Sequence, residues 1–431
     1  MSQDYPKRSQ NKRRSKPKAR RTKKPEAESQ PAAPRIGGDA VVVNGYSAKW
    51  LRQGFCWVYP QEVVGRPKRL RAGQVVKLAD EQGEDLGRGL WDEGWLAVRR
   101  FREDSGPVDR SLIAERLDAA QALRDVAVEQ DTTAYRLVHG ENDLLPGIRV
   151  DVYGPHLVVT LDSPSVKPLL GALVEELVAR LSPRGIHLAW RPDPRDDVDT
   201  SELESGLIWG HPPPGDVRVT ERGIACLVRP SAGKDIGLYT DMRTNRAWLE
   251  SYWGGRRVLN LFAHTGMFSV AAALSGASET VSVDLSEAYL DRAQANFVAN
   301  GLDPQMHSFL AEDVRKALDR FRRTDDLFDA VILDPPGFSH GPEGRMAAGK
   351  DYPRLVAASL KVLAPEGWFI GALNLGQVTP REFHTAVREG AKRADRKLQL
   401  LFEGGQAPDH PALVEFPEGR YLKFAVWRCI G

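Results

Sequence analysis

Four apolar segments in the C-terminal half of the chain each lead into a polar side chain that can bind a ligand. The segment VLNLFAHTG contains Asn260 and ends at Gly266, TVSVD ends at Asp284, MHSFL precedes Asp313, and DAVILD ends at Asp334. A glycine turn lets a ligand approach the backbone, and the helix that follows offers unpaired N–H groups. Carboxylates beyond the turn can accept hydrogen bonds from ribose hydroxyls and from an adenine amino group. The pattern therefore predicts a nucleoside-binding crevice.

The sequence lacks a phosphate-binding loop, and this narrows the choice of nucleoside. It contains neither GxGxxG, which binds dinucleotides, nor the P-loop pattern GxxxxGK[ST]. A crevice with ribose and adenine contacts but no phosphate cradle suits S-adenosylmethionine. A single aspartate at a strand end is more often a helix cap, but four polar residues in order across successive segments favour the binding site.

The turn after Asp334 is stiff, because Pro335 and Pro336 have fixed φ angles and no N–H donors. These three residues are expected to form a rigid wall beside the methyl group of the cofactor. Phe338 follows the turn, and we expect it to stack on an RNA base that has left its helix. A core position is the alternative for this aromatic residue.

The order of the segments predicts the fold of this region. From about residue 217, apolar segments alternate with amphipathic stretches such as SEAYLDRAQANFVANG, in which Leu290 and Phe297 share one side and Gly301 ends the helix. Alternating strands and helices predict a doubly wound α/β sheet, in which ligands bind at the carboxyl ends of the strands. We therefore expect a Rossmann-like domain over residues 214–431.

Three regions precede this domain. Residues 1–38 hold nine more basic than acidic residues and almost no large apolar ones. They are expected to be a disordered tail that attracts polyanions, with a solubilising role as the alternative. Residues 39–107 contain short apolar runs broken by glycine turns, which predicts a small β domain. Residues 108–213 predict a second α/β unit, in which AYRLVHGENDLLPGIRVDVYGPHLVVTLDS forms a β-hairpin.

The overall composition is that of a soluble globular protein, with 42% apolar and 27% charged residues. We find no apolar window long enough for a transmembrane helix and no apolar signal core at the N-terminus. The three cysteines are Cys56, Cys226 and Cys429. They are far apart and lack metal-ligand spacing, so we expect reduced thiols, a cytoplasmic location and no metal site.

Five segments together resemble a known family: KDIGLYTDMRTNR, VLNLFAHTGMFSVAAALSGA, VSVDLSEAYLDRAQANFVANGL, FDAVILDPPGFS and APDHPALVEFPEGRYLK. They look like the bacterial 23S rRNA methyltransferases with a PUA-like domain, a middle α/β domain and a C-terminal class I domain that binds S-adenosylmethionine. The resemblance covers roughly residues 40–431. The enzymes with this domain arrangement include a methyltransferase that acts on cytosine C5 of 23S rRNA. The resemblance implies cofactor contacts from Tyr239, Asp241, Arg243, Asn260, Phe262, Thr265, Gly266, Asp284, Leu285, Asp313 and Asp334.

One position departs from the enzymes that act on cytosine C5. Methylation at C5 requires a cysteine thiolate that adds to C6, and in the resembling enzymes this cysteine follows the fifth strand. The corresponding segment here, FIGALNLGQVT, has Asn374 instead. Guanine N7 carries an in-plane lone pair and needs only alignment with the methyl group. We therefore include Asn374 in the catalytic site and favour a ring nitrogen, with cytosine C5 and another thiol as the alternative.

The N-terminal β domain is an RNA-binding module by resemblance. We expect its basic run, Arg66, Lys68 and Arg69, to contact phosphates of 23S rRNA or of a large-subunit precursor. An RNA-binding assembly factor that kept the fold without activity is a second hypothesis, which the intact strand-end residues disfavour. The sequence leaves open whether the protein forms a homodimer.

Overall fold

The computed structural model of the chain describes residues 40–193, 195, 205–233, 235–341 and 344–430, with side chains at all of these except 338–349. The predicted basic tail, residues 1–38, and the side chain of Phe338 therefore lie outside the described residues. Within the described part, no helix has the length and apolar character needed to cross a membrane.

The N-terminal sheet has the strand order β2-β6-β5-β4-β1-β3. It packs one helix, α1, which begins after Asn44, whose side chain accepts a hydrogen bond from the backbone N–H of Ser47. The sequence predicted only strands here, so this helix was missed. The bounds are β1 Ala40–Val43, α1 Gly45–Arg52, β2 Trp57–Val58, β3 Val63–Gly65, β4 Val75–Ala79, β5 Asp85–Trp91 and β6 Val98–Arg102.

The middle sheet has the order β11-β10-β9-β8-β7, and two helices cover one of its faces. The predicted hairpin is in fact three antiparallel strands, β7, β8 and β9, because the chain turns again at Gly154. The bounds are α2 Arg110–Ala127, β7 Ala134–His139, β8 Ile148–Tyr153, β9 His156–Leu161, α3 Leu170–Leu181, β10 Gly185–Trp190 and β11 Gly206–Gly210.

The C-terminal sheet has the order β16-β15-β14-β17-β20-β22-β21 and follows an antiparallel hairpin, β12–β13. Strands β14, β15, β16, β17 and β20 are parallel, and β22 is antiparallel to its neighbours. The bounds are β12 Val217–Glu221, β13 Ile224–Val228, α4 Arg243–Leu249, β14 Arg257–Leu261, α5 Met267–Leu274, β15 Glu279–Asp284, α6 Glu287–Ala299, β16 Ser308–Ala311, α7 Val314–Arg323, β17 Phe328–Leu333, β18 Phe338–Gly341, β19 Gly344–Ala347, α8 Ala348–Leu360, β20 Leu363–Asn374, α9 Pro380–Ala394, β21 Lys397–Gly404 and β22 Leu422–Ile430.

The position of β14 determines where a ligand can bind. From β14 the chain first builds outward through β15 and β16, and then returns to place β17 on the other side of β14. Connections therefore leave β14 and β17 in opposite directions, and a crevice opens at their carboxyl ends. Apolar clusters on both faces of the sheet bury these strands and hold their ends in place.

Candidate functional site

A cleft of about 590 Å³ lies at the carboxyl ends of β14, β15, β16, β17 and β20. It has the size expected of a small-molecule site. The sequence predicted many of its lining residues, and the structure brings these together: Tyr239, Asp241, Asn260, Phe262, Thr265, Asp284, Leu285, Asp313, Asp334, Pro335, Pro336 and Asn374.

The loop after β14 forms one wall of the cleft in a strained conformation. Phe262 and His264 have positive φ angles of 58° and 50°, which non-glycine residues rarely adopt. Asn260, at the start of this region, is buried and donates a hydrogen bond of 3.0 Å to Ser269 Oγ of α5. Gly266 is not among the residues that line the cleft. It is the N-cap of α5 with a φ of 75°, and a Cβ there would lie 2.8 Å from Ala293 Cβ.

Asp284 is held by two backbone groups at the end of β15. One carboxylate oxygen accepts from the His264 N–H at 2.9 Å and the other from the Ser286 N–H at 3.0 Å. Each oxygen keeps a further lone pair, so the carboxylate is oriented and still able to accept hydrogen bonds from a ligand. Leu285 follows it with its side chain half exposed.

Asp313 has a second role besides lining the cleft. It is the N-cap of α7 and accepts from the Arg315 backbone N–H at 2.8 Å. The Arg315 guanidinium also donates to this carboxylate, and these contacts lower the pKa of Asp313. Asp313 is therefore ionised, and part of its hydrogen-bonding capacity is used within the protein.

Asp334, directly after β17, has a strongly raised pKa. Burial, and then the negative charge of Asp241, raise its pKa to about 7, while Arg246 opposes the shift. Asp241 itself accepts a 2.8 Å hydrogen bond from the Tyr421 hydroxyl. A carboxyl group with its pKa near neutrality in a cleft is typical of a functional site.

The end of β20, the strand paired with β17, lies beside the turn that Asp334, Pro335 and Pro336 form. Asn374 is its last residue, is exposed, and lines the cleft with Pro335 and Pro336. The buried ammonium group of Lys423, on the adjacent strand β22, donates to the carbonyls of Leu375 and Tyr421. Burial lowers the pKa of Lys423 to about 8. Lys423 thus fixes the backbone that follows Asn374.

The segment over residues 235–242, directly before α4, lines one side of the cleft and contacts the loop after β14. The sequence analysis did not predict all of these contacts. Thr265 Oγ1 donates to the Gly237 carbonyl at 2.6 Å, and His264 Nε2 lies 2.8 Å from Asp235 Oδ1. The hydrogen bond with His264 is the main reason that the pKa of Asp235 falls to about 2. His264 was missed although it lies between two predicted ligand residues.

Arg243 requires a correction, since the structure places it away from the cleft. Its side chain is fully buried, with Nε 3.1 Å from Glu129 Oε2 and Nη2 3.0 Å from Asp409 Oδ1. The residue begins α4, and this helix directs it towards the middle domain. Arg243 therefore stabilises the contact between domains instead of lining the ligand site.

All three cysteines are buried. Cys226 packs in the cluster under β12 and β13, and Cys429 packs in the core of the C-terminal sheet. Burial raises the pKa of Cys226 to about 12 and raises that of Cys56 well above its ordinary value. Within the described part of the chain, no cysteine lines the cleft.

The basic run of the N-terminal domain lies on the surface. Arg66, Lys68 and Arg69 are exposed, and the Arg66 guanidinium lies 5.0 Å from the centre of the Trp91 ring. The nearby aromatic residues pack differently: Trp57 contacts Phe416 of the C-terminal domain and donates to Glu141 of the middle domain. Trp57 therefore connects the N-terminal domain to both of the other domains.

The charges of the cleft decide which cofactor it can hold. Four carboxylates, Asp241, Asp284, Asp313 and Asp334, line it, and they would repel a polyphosphate. The same charges attract a nucleoside that carries a positive centre. S-adenosylmethionine, with adenine, ribose and a sulfonium group, fits this set of residues.

Comparisons with known proteins agree with this geometry. The family model described as S-adenosylmethionine-dependent methyltransferase matches residues 185–413, and the model of a PUA-like domain matches residues 41–101. The chain is 33% identical over 399 residues to ribosomal RNA large subunit methyltransferase I of Erwinia tasmaniensis, covering 90% of this chain and 99% of the relative. The protein of the same name from Tolumonas auensis is 35% identical over 387 residues, which cover 87% of this chain and 95% of the relative.

A solved structure is similar over nearly the same length. The crystal structure of SMU.776 complexed with SAH superimposes with a TM-score of 0.82 at 25% identity, covering 90% of this chain and 100% of that one. The similarity therefore extends through the domains and is not confined to the C-terminal sheet.

Proposed function

Since this chain belongs to the S-adenosylmethionine-dependent methyltransferases of large-subunit ribosomal RNA, we propose that it methylates a ring nitrogen of a 23S rRNA base, guanine N7. The observation that supports the choice of atom is that Asn374 lines the cleft. By the resemblance, this is the position at which the C5 enzymes carry their thiol. Each of the three cysteines is buried.

The chemistry of guanine N7 suits the residues around Asp334. When bound, S-adenosylmethionine supplies an electrophilic methyl group. The lone pair of N7 lies in the plane of the base, so the protein needs to align the base and to exclude water. The purine becomes positively charged as it gains the methyl group, and the carboxylates of Asp334 and Asp241 stabilise this charge. The Asn374 amide can donate a hydrogen bond to guanine O6.

We assign the cofactor contacts to the strand ends. Asp284 accepts from the ribose hydroxyls, Asp313 accepts from the adenine amino group, and the loop over residues 260–266 approaches the cofactor through its backbone. The exposed basic residues Arg66, Lys68 and Arg69 contact phosphates of the rRNA, either free or within a large-subunit precursor.

Replacement of Asp284 by Ala is expected to weaken binding of S-adenosylmethionine by about 1.5–3 kcal/mol, the scale of hydrogen bonds to a charged group. The affinity is measured by calorimetry with the full-length protein. Asp303→Ala is a matched control, because Asp303 is an exposed cap outside the cleft that accepts from the Gln305 N–H. Equal affinities of the Asp284 variant and the unmodified protein would place the ribose elsewhere.

The target atom is tested by mass spectrometry of rRNA nucleosides from a strain that lacks this protein. We expect one 7-methylguanosine to disappear from 23S rRNA and to return when the gene is restored. Loss of 5-methylcytidine instead would establish the cytosine alternative. A strain with all its rRNA methylations intact would favour an assembly factor without activity.

A further inference from the structure

The middle domain contributes a polar wall to a second cavity, which lies beside the cleft. Along β8, the apolar residues pack against α2 and α3, whereas Arg149, Asp151 and Tyr153 lie on the opposite face. Arg136 of β7 and Thr160 of β9 border the same cavity, whose volume is about 60 Å³. This cavity shares four lining residues with the cleft: Arg191, Leu238, Tyr239 and Asp241.

The arginines of this cavity differ in how they are paired. Arg136 is neutralised by Asp151, since its Nε and Nη2 lie 2.8 and 3.1 Å from the two carboxylate oxygens. Arg149 donates to Asp162 through Nη2, but its buried Nε has no hydrogen-bond partner among the described residues. A buried donor without a partner is costly and rare in native proteins. At a cavity lining, such a donor can be satisfied by a group that comes from outside the chain.

We propose that this cavity binds a phosphate group of the RNA next to the methylated nucleotide, with Arg149 and Arg191 as the donors. Arg191 is exposed and lines both cavities, so it stands where the RNA backbone would pass from one to the other. Guanidinium groups are the preferred partners of phosphate oxygens. The cavity is too small for a base but has room for phosphate oxygens and water.

The inference rests on the proposed rRNA substrate and gives the middle domain a role in recognising it. The carboxylate of the cofactor's amino acid has hydrogen-bonding chemistry similar to that of a phosphate, and the cavity shares part of its wall with the cofactor cleft. The two sources are separated by measuring RNA binding and cofactor binding on the same variants.

The test uses full-length protein with Arg149→Gln or Arg191→Gln, unmodified 23S rRNA made by transcription, and S-adenosylhomocysteine as the cofactor probe. Each variant should raise the Kd for RNA about tenfold and reduce the slope of log K against log salt by about one, as the loss of one phosphate contact does. The Kd for S-adenosylhomocysteine should stay the same in Arg149→Gln, because Arg149 lines the small cavity and not the cleft. Arg110→Gln is the control, because this exposed arginine pairs with Glu175 and Glu176 on the helix-covered side of the sheet.

A second substitution guards against misfolding. Arg149→Lys keeps the charge next to Asp162 but lacks the Nε–H, so it should weaken RNA binding less than Arg149→Gln while leaving the salt slope unchanged. Weaker cofactor binding with unaltered RNA binding would identify the cofactor carboxylate as the occupant and overturn the inference. If Arg110→Gln weakened RNA binding as much as Arg149→Gln does, the loss of affinity would be explained by net charge alone, and the inference would be overturned as well. A different methylated base in the nucleoside analysis would correct the proposed target but leave the binding result intact.

Discussion

Replacement of Asp334 by Asn is expected to lower the rate of methyl transfer on the order of 100- to 1,000-fold, the loss seen when one preorganised charge-stabilising group is removed from an active site. The amide keeps the shape of the side chain but cannot stabilise the positive charge that develops on the base. The assay is incorporation of a tritiated methyl group into 23S rRNA. Asp329→Asn is the control, because Asp329 lies at the other end of the same strand, where it accepts from the Arg257 N–H.

The pH dependence gives an independent check on the same residue. Only the ionised carboxylate stabilises a cation, so the rate should fall as the pH is lowered through about 7, the pKa of Asp334. A cofactor with a positive charge lowers that pKa, so the midpoint in the complex lies at 7 or below. The Asn variant should lack this dependence, and retention of the full rate by this variant would exclude a charge-stabilising role.

Stability should change in the opposite direction to activity. The folded-state pKa of about 7 lies above the ordinary value of 3.8, so ionisation of Asp334 opposes folding, and the protein loses stability as the pH rises between these two values. At pH 8 the Asn variant should therefore be more stable than the unmodified protein by up to about 4 kcal/mol, because each pKa unit between 3.8 and about 7 corresponds to about 1.4 kcal/mol. The difference should vanish near pH 4. Urea unfolding at the two pH values measures it and shows at the same time that the variant is folded.

The variant with Cys56→Ser, Cys226→Ser and Cys429→Ser is expected to retain methyl transfer. A C5 mechanism would lose all turnover without its thiol, because C6 addition is what makes C5 reactive. All three thiols are buried, and the pKa values of Cys56 and Cys226 are raised, so these two are protonated at neutral pH. Some loss of stability is expected, since serine places hydroxyl groups in apolar sites.

Two further measurements make the thiol experiment decisive. The same three positions changed to Ala keep the core apolar and preserve the test if the serine protein does not fold, with folding followed by circular dichroism. RNA that contains 5-fluorocytosine traps the covalent adduct of a C5 enzyme, and no adduct should form here. A folded but inactive cysteine-free protein, or a trapped adduct, would refute the nitrogen target and restore the cytosine alternative.

The strand-end residues could be predicted from the sequence because their placement follows from local patterns. Parallel strands joined by helices have their carboxyl ends at one edge of the sheet. Asn260, Asp284, Asp313 and Asp334 each stand at or just after such an end, so identifying the strands was enough to bring these residues together.

Arg243 shows where a local pattern is insufficient. It lies two residues from Asp241 in the same segment, yet one lines the cleft and the other is buried between domains. The difference depends on the direction in which α4 begins and on the carboxylate of Asp409, far along the chain. A motif specifies which residues are near one another in sequence, but not the side to which each points.

The sequence by itself determined the alternation of strands and helices in the C-terminal α/β domain and the polar residue at each strand end, since these are local patterns. That Asn374 stands where a C5 enzyme has its thiol remains a prediction from the resemblance. Only the tertiary structure decided the pKa of Asp334, because burial and the neighbouring charge of Asp241 come from different segments. It also decided what surrounds the polar face of β8. The alternation of Arg149, Asp151 and Tyr153 is visible in the sequence, but which face receives the helices and which adjoins the cleft depends on how the domains pack.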